Sequence, residues 1–273
     1  LSNTKTRDMS NPNNRMFEEF LRFVDKIAPT WFVFENVYGL TKFKNGEENI
    51  QNHIENRFRD IGYTVKSKIL YASDFGVPQR RNRLFIVGNR NGIDFEFPKE
   101  FDYSVSVDEA ISDLPVLGNG EIQMKGEYTV PFEQASPYAQ LMRKKSKAPT
   151  QNIVSRNKDY VVERYKYIGQ GENWSSIPDR LMENYADKKR CHSGIYKRLI
   201  GGKPSVVISN YRKSMLIHPH QDRGLSVREA ARLQSFPDHF IFEGPVSYVQ
   251  QQIGNAVPPL LAKAVMKKIL TYK

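Results

Sequence analysis

Met16, Phe17, Phe20, Leu21, Val24 and Ile27 recur at three- and four-residue intervals behind Asn11-Pro12-Asn13-Asn14. That spacing predicts an amphipathic helix over residues 15–28. Trp31-Phe32-Val33-Phe34 is wholly apolar, the pattern of a strand buried on both faces, and it ends at Glu35-Asn36-Val37. Ile50, Ile54, Phe58 and Ile61 form one stripe of a second helix, closed by Gly62. A strand is expected near Val65–Tyr71, then a loop Ser73–Asn82, then a second buried run, Leu84-Phe85-Ile86-Val87, ending at Gly88. This α–β–α–β–β order predicts part of a layered α/β domain. In open parallel sheets chemistry collects at the carboxyl ends of the strands, and Glu35 falls at such an end.

From about residue 97 to 195 the periodicity weakens. Polar and basic stretches such as Met142-Arg143-Lys144-Lys145-Ser146-Lys147 alternate with short elements, which predicts a separate, irregular module. Order returns at Ser226-Val227-Arg228-Glu229, a capping box that opens a helix through about Ser235, stopped by Phe236-Pro237-Asp238. Gln252 to Val257 reads as a turn, and Pro258-Pro259 start a final helix with Leu260, Leu261, Ala264, Val265 and Ile269 on its apolar face. The expected domains are therefore 1–96, the catalytic α/β part; 97–245, a recognition module; and 246–273, a helix returning to the first.

Composition narrows the class. The 273 residues are 39% hydrophobic and 26% charged, which fits a packed core rather than disorder. No apolar run is long enough to span a membrane. Cys191 is the single cysteine, so no internal disulfide can form and a reducing, cytoplasmic setting is expected. The net charge of +11 favours a polyanionic partner, most simply nucleic acid. The excess is densest at the end: residues 204–273 carry nine Lys and Arg against four Asp and Glu. The chain opens on Leu1 and reads as a piece of a longer polypeptide.

Three places could carry chemistry, and each has a plainer reading. Glu35, directly after a buried strand, faces desolvation that favours its neutral form, able to donate a hydrogen bond to a ring nitrogen; it reads equally as a salt-bridge partner. Gln79, Arg81 and Arg83 share strand parity, so their side chains are expected on one face, where two guanidiniums suit phosphate or a base carbonyl. Solvated arginines at a strand entrance are the other reading. Asn255, ahead of a helix start, suits a small polar molecule or simply caps the helix. His218-Pro219-His220 and Cys191-His192 complete no metal-ligand spacing, and no metal is expected.

Taken in order, Glu35-Asn36-Val37, Gln79-x-Arg81-x-Arg83, the run Arg223-Gly224-Leu225-Ser226-Val227-Arg228-Glu229-Ala230-Ala231-Arg232-Leu233-Gln234-Ser235-Phe236-Pro237-Asp238, and Gln252-Ile253-Gly254-Asn255-Ala256-Val257-Pro258-Pro259 resemble the DNA (cytosine-5) methyltransferases. The resemblance covers roughly residues 1–96 and 165–273. It implies an α/β fold: an incomplete Rossmann-like sheet of the S-adenosylmethionine-dependent methyltransferases, with a smaller, irregular target-recognition domain between. The implied reaction transfers a methyl group to C5 of a cytosine flipped out of double-stranded DNA. The resemblance gives Glu35 contact with N3 of the base and Arg83 contact with O2. It sets Arg81 beside them as a further catalytic group, with Gln79, Arg81, Arg223 and Arg228 toward DNA. Asn255, Ala256 and Val257 would line the cofactor, S-adenosyl-L-methionine, with Met16 as an apolar contact. The family's cofactor loop and its Pro-Cys-Gln nucleophile are absent from this text, and Leu1-Ser2-Asn3-Thr4 reads like the loop that follows them. Cys191 lies in the wrong region to replace that thiol. The chain alone is thus expected to be inactive, a fragment or a subunit that needs a second chain. Two other readings are a catalytically inactive DNA-binding relative and a tRNA cytosine-5 methyltransferase. A nucleoid association would follow in a bacterium.

Overall fold

The computed structural model describes residues 16–42, 44–45, 48–183, 193–209 and 211–272. Leu1–Thr4, the Asn11–Asn14 start signal, Cys191 and His192 lie outside the described residues. The chain divides into two compact units. The first comprises residues Leu1–Tyr71, Asn82–Glu100 and Ala264–Lys273, and the second Ala72–Arg81 and Phe101–Lys263.

The first unit opens with α1 (Met16–Ile27), which buries Phe17, Leu21 and Val24. Met16 and Ile27, expected on that apolar stripe, are exposed at its two ends. β1 (Trp31–Val37) follows, then the short strands β2 (Lys44–Asn45) and β3 (Glu48–Asn49). α2 (Ile50–Asp60) is capped by Asn49, whose side chain accepts from the amide of Gln51. Gly62, at φ +87°, makes the left-handed turn that lets the chain leave it. β4 (Thr64–Tyr71) and β5 (Asn82–Asn89) complete a three-stranded sheet in the order β1-β5-β4.

Both pairings with β5 are antiparallel, so β1 and β4 run parallel to each other with β5 inverted between them. Apolar runs report burial on both faces, not strand direction, and β5 has such a run because it is the central strand, with Leu84 to Asn89 all buried. β4, at an edge, alternates toward solvent and carries Lys66 and Lys68 there, ion-paired with Asp94 and Glu100. Phe32, Phe34 and Phe58 join Ile54, Leu84 and Ile86 in the core, each side chain contributing roughly 1.5–3 kcal/mol by leaving water.

The second unit holds α3 (Val107–Ile111), β6 (Ile122–Lys125), α4 (Pro137–Arg143), β7 (Thr150–Ile153), α5 (Asp159–Tyr165), α6 (Tyr211–Ser214), α7 (Val227–Leu233) and α8 (Val246–Asn255). It also holds the start of α9 (Pro259–Ile269). β6 and β7 pair antiparallel. Val107, Ala110, Tyr138 and Met142 share one core with Ala230, Leu233, Val249 and Ile253. Short elements bury single faces against residues distant in sequence, which leaves no long repeat to read. The segment expected as a turn from Gln252 is the last turn of α8, and the chain becomes extended only at Ala256.

α7 begins with the expected capping box: Ser226 accepts from the amide of Glu229, and the Glu229 carboxylate accepts from the amide of Ser226. Every residue of α7 is buried, including Arg228, Glu229 and Arg232.

Candidate active site

The strand register of the first unit creates the pair of most chemical interest. Arg83 stands directly across from Val37, and Glu35 two residues earlier faces Phe85. Side chains two apart on a strand share a face, so Glu35 and Arg83 are diagonal neighbours on one side of the sheet. Arg83 Nε meets Glu35 Oε1 at 2.8 Å, and both side chains are only partly exposed, at 12% and 27%. Arg83 also donates from Nη1 to the carbonyl of Asn82 at 2.8 Å. Burial pulls the Arg83 pKa below its ordinary value, while the Glu35 charge and hydrogen bond pull it back up. The neutral acid expected at Glu35 from desolvation thus becomes one half of an ion pair, because the sheet sets a guanidinium beside it.

Gln79, Arg81 and Arg83 do not form one face. β5 starts only at Asn82, so strand parity does not extend back to Arg81. Gln79 and Arg81 belong to the second unit and are 0% and 1% exposed. Arg81 donates to the carbonyls of Ile208 (3.0 Å) and Gly254 (2.8 Å). Gln79 donates to the carbonyl of Leu233 and the side-chain oxygen of Gln234, and accepts from the amide of Ile208. Gln234 in turn donates to the carbonyls of Ile253 (2.7 Å) and Ala256 (3.1 Å). One buried network therefore ties Gln79-x-Arg81 to the end of α8 and to the segment around Ile208.

That network shapes the turn holding the expected cofactor residues. Asn255 is exposed there, and Ala256 and Val257 are half-buried. A Cβ on Gly254 would lie 2.1 Å from the carbonyl oxygen of Ser209, so only glycine lets α8 approach this closely. An exposed amide beside two small apolar side chains suits a ligand with polar and apolar parts. Met16, in the first unit, is 62% exposed.

Arg223 and Arg228, expected toward DNA, point inward. Arg223 grips the Glu229 carboxylate with two hydrogen bonds of 2.9 and 2.7 Å, and also donates to the carbonyl of Leu117. Arg228 donates to the carbonyls of Thr150 and Phe240, fastening β7 and the Phe236–Phe242 segment to α7. Burial pushes Glu229 up, but the Arg223 charge outweighs it and holds the carboxyl at about 2. Burial pushes His218, 3.8 Å from Glu229, down to about 4.

Residues not singled out from the sequence also matter. Arg232, fully buried, joins Asp113 at 2.9 Å and Asp238 at 2.6 Å. Gln234 is the hub of the network above. The available sign was Arg228, Glu229 and Arg232 set among Val227, Ala230, Ala231 and Leu233, with Gln234 directly after. Among the described residues, no group of three or more His, Cys, Asp or Glu could hold a metal ion. No described helix is long and apolar enough to cross a membrane.

A crystal structure of a prophage-encoded DNA modification methyltransferase of E. coli superposes with a TM-score of 0.69 at 23% identity, covering 96% of this chain and 74% of that one, which shows the α/β methyltransferase fold. The type II methyltransferase M.DdeI of Desulfomicrobium norvegicum is 34% identical over 97% of this chain and 69% of its own length. M1.HphI of Haemophilus parahaemolyticus is 35% identical over 95% of this chain and 62% of its own. This chain thus spans about two thirds of the length of these relatives. The profile of the C-5 cytosine-specific DNA methylases matches residues 2–271, and the chain belongs to that family.

Proposed function

We propose that this chain carries the base-handling part of a sequence-specific DNA cytosine-5 methyltransferase. The reading rests on one observation above the others: a carboxylate and a guanidinium, Glu35 and Arg83, held 2.8 Å apart on one sheet face. Cytosine presents N3 and O2 side by side. A carboxylic acid at N3 and a guanidinium at O2 recognise that edge together, and a proton or hydrogen bond at N3 draws electrons from C6. Attack by a thiolate at C6 then makes C5 nucleophilic. The target base must leave the duplex for this to happen.

The ion pair is the resting arrangement. When the base arrives, Arg83 exchanges Glu35 for O2, and Glu35, relieved of the guanidinium, takes up a proton to offer N3. Asn255, Ala256 and Val257 are the residues we assign to the cofactor. S-adenosyl-L-methionine, when bound, supplies an electrophilic methyl group. The turn's exposed amide suits its polar amino-acid end. Gln79, Arg81, Arg223 and Arg228 act at a distance in this reading, by fixing the second unit internally. The attacking thiol belongs to the Pro-Cys-Gln segment, which these 273 residues do not contain.

The experiment is transfer of labelled methyl groups to duplex DNA by the enzyme that includes the Pro-Cys-Gln segment, with mapping of the modified atom. Label at cytosine C5 is expected. Label elsewhere, on adenine or on a cytosine amino group, overturns the reading.

A further inference from the structure

In the second unit a cavity of about 220 Å³ is lined by Met142, Pro237 and Leu260 together with Lys144, Lys145 and Lys263, with His239 beside them. The three lysines come from the end of α4 and the first turns of α9, and all are exposed. Two hydrogen bonds hold the walls together. The amide of Asp238 donates to the carbonyl of Met142 at 3.0 Å, and the amide of Leu260 donates to Ser235 Oγ at 3.1 Å.

No aspartate or glutamate lines this cavity. The carboxylate closest in sequence, Asp238, is fully buried and taken up by Arg232 at 2.6 and 2.7 Å and by the Tyr128 hydroxyl at 2.6 Å. Three other exposed lysines are ion-paired: Lys66 with Asp94, Lys68 with Glu100 and Lys166 with Glu163. Lys144, Lys145 and Lys263 make no ion pair among the described residues. Three ammonium groups without carboxylate partners beside apolar side chains form a site for a polyanion that also has an apolar face.

We propose that this pocket grips the sugar–phosphate backbone of duplex DNA, with the lysines on phosphates and the apolar lining against deoxyribose. The proposal rests on the DNA reading given above. Charge complementarity carries the choice of occupant, together with the +11 excess of the whole chain and its membership in a family of DNA methylases. Contacts of this kind position a protein without reading sequence.

The test compares the wild-type chain with K144Q/K145Q/K263Q and with a control of equal charge change, K66Q/K68Q/K166Q. Binding to a short duplex of arbitrary sequence is followed by fluorescence anisotropy across salt concentrations. Each phosphate contact contributes about 0.9 to the slope of log affinity against log salt, so the pocket variant should lose about 2–3 from that slope. It should also bind several duplexes more weakly by the same factor, while the control keeps the wild-type slope. An unchanged melting temperature shows that both variants fold. A pocket variant with the wild-type slope and affinity overturns the proposal. So does capture of a polyglutamate peptide by the wild type and not by the pocket variant when DNA binding is unaltered, which assigns the pocket to an acidic protein partner. If the wild type itself shows no salt-dependent DNA binding, the underlying DNA reading fails instead.

Discussion

Glu35 and Arg83 meet because β1 and β5 are antiparallel in one particular register: Arg83 lies across from Val37, two residues beyond Glu35, and its Nε reaches Oε1 at 2.8 Å. A slip of one residue would send the two side chains to opposite faces. Glu35→Gln keeps the shape and the acceptor but removes the proton that N3 needs. General acid–base groups typically contribute about 10²–10⁴-fold, so the methyl-transfer rate should fall by that order while DNA affinity changes little. Single-turnover rates and anisotropy on the same preparation measure the two separately. Equal loss of both would remove Glu35 from the chemistry.

Arg83→Lys should be poorly tolerated. A lysine has no planar fork to keep its hold on the carbonyl of Asn82 while moving from Glu35 to a base oxygen, and here Arg83 already divides its donors between Glu35 and the carbonyl of Asn82. We expect transfer activity to fall by an order of magnitude or more with a modest change in melting temperature. A variant with wild-type activity would show that only the charge at position 83 matters.

Arg81→Met tests whether this arginine acts on DNA or on the fold. The variant removes both donors to the carbonyls of Ile208 and Gly254 inside a closed interior. Hydrogen bonds from charged groups contribute about 1.5–3 kcal/mol each, so a loss of roughly 2–4 kcal/mol in urea unfolding is expected after repacking. DNA affinity, corrected for the folded fraction, should hold. Lost affinity with full stability would return Arg81 to the DNA surface.

The same residues show what the sequence makes legible. Helix α2, the apolar runs of β1 and β5, and the capping box at Ser226 are local patterns, and all are where periodicity and capping rules put them. The inversion of β5 is not local, since a run buried on both faces looks the same in either direction. The inward turn of Arg81 was hidden for a related reason. An arginine in a motif advertises a charge, but its partner, such as Gly254 for Arg81, is 173 residues away. Glu35 and Arg83 could be named from the sequence as separate candidates, but their contact exists only through the sheet register.

Gly254→Ala should be felt far beyond one methyl group. The added carbon would fall 2.1 Å from the carbonyl oxygen of Ser209, backbone that cannot rotate away. Overpacking of this kind costs about 1–3 kcal/mol. Because Gly254 precedes Asn255, the displaced turn should also weaken cofactor affinity. Calorimetric titration of S-adenosyl-L-methionine, beside a thermal melt, checks both effects. A melt and an affinity that match wild type would mean that α8 is free to shift.

Acid should loosen the second unit in two stages, because His218 and Glu229 have pKa values lowered by different causes. Burial holds His218 down at about 4 against 6.5, so the unfolded chain binds its proton first and stability falls as pH drops from 6.5 toward 4. Glu229, held at about 2 by Arg223 despite its burial, stabilises the fold above its ordinary 4.5 and loses that contribution as pH falls from 4.5 toward 2. At 1.36 kcal/mol per unit, the His218 stage is worth roughly 3 kcal/mol. His218→Gln, which cannot take up the proton, should flatten the stability curve between pH 6.5 and 4 and leave the lower stage in place. Urea midpoints measured across that range decide it, and a variant with the wild-type slope there would assign the upper stage to other groups.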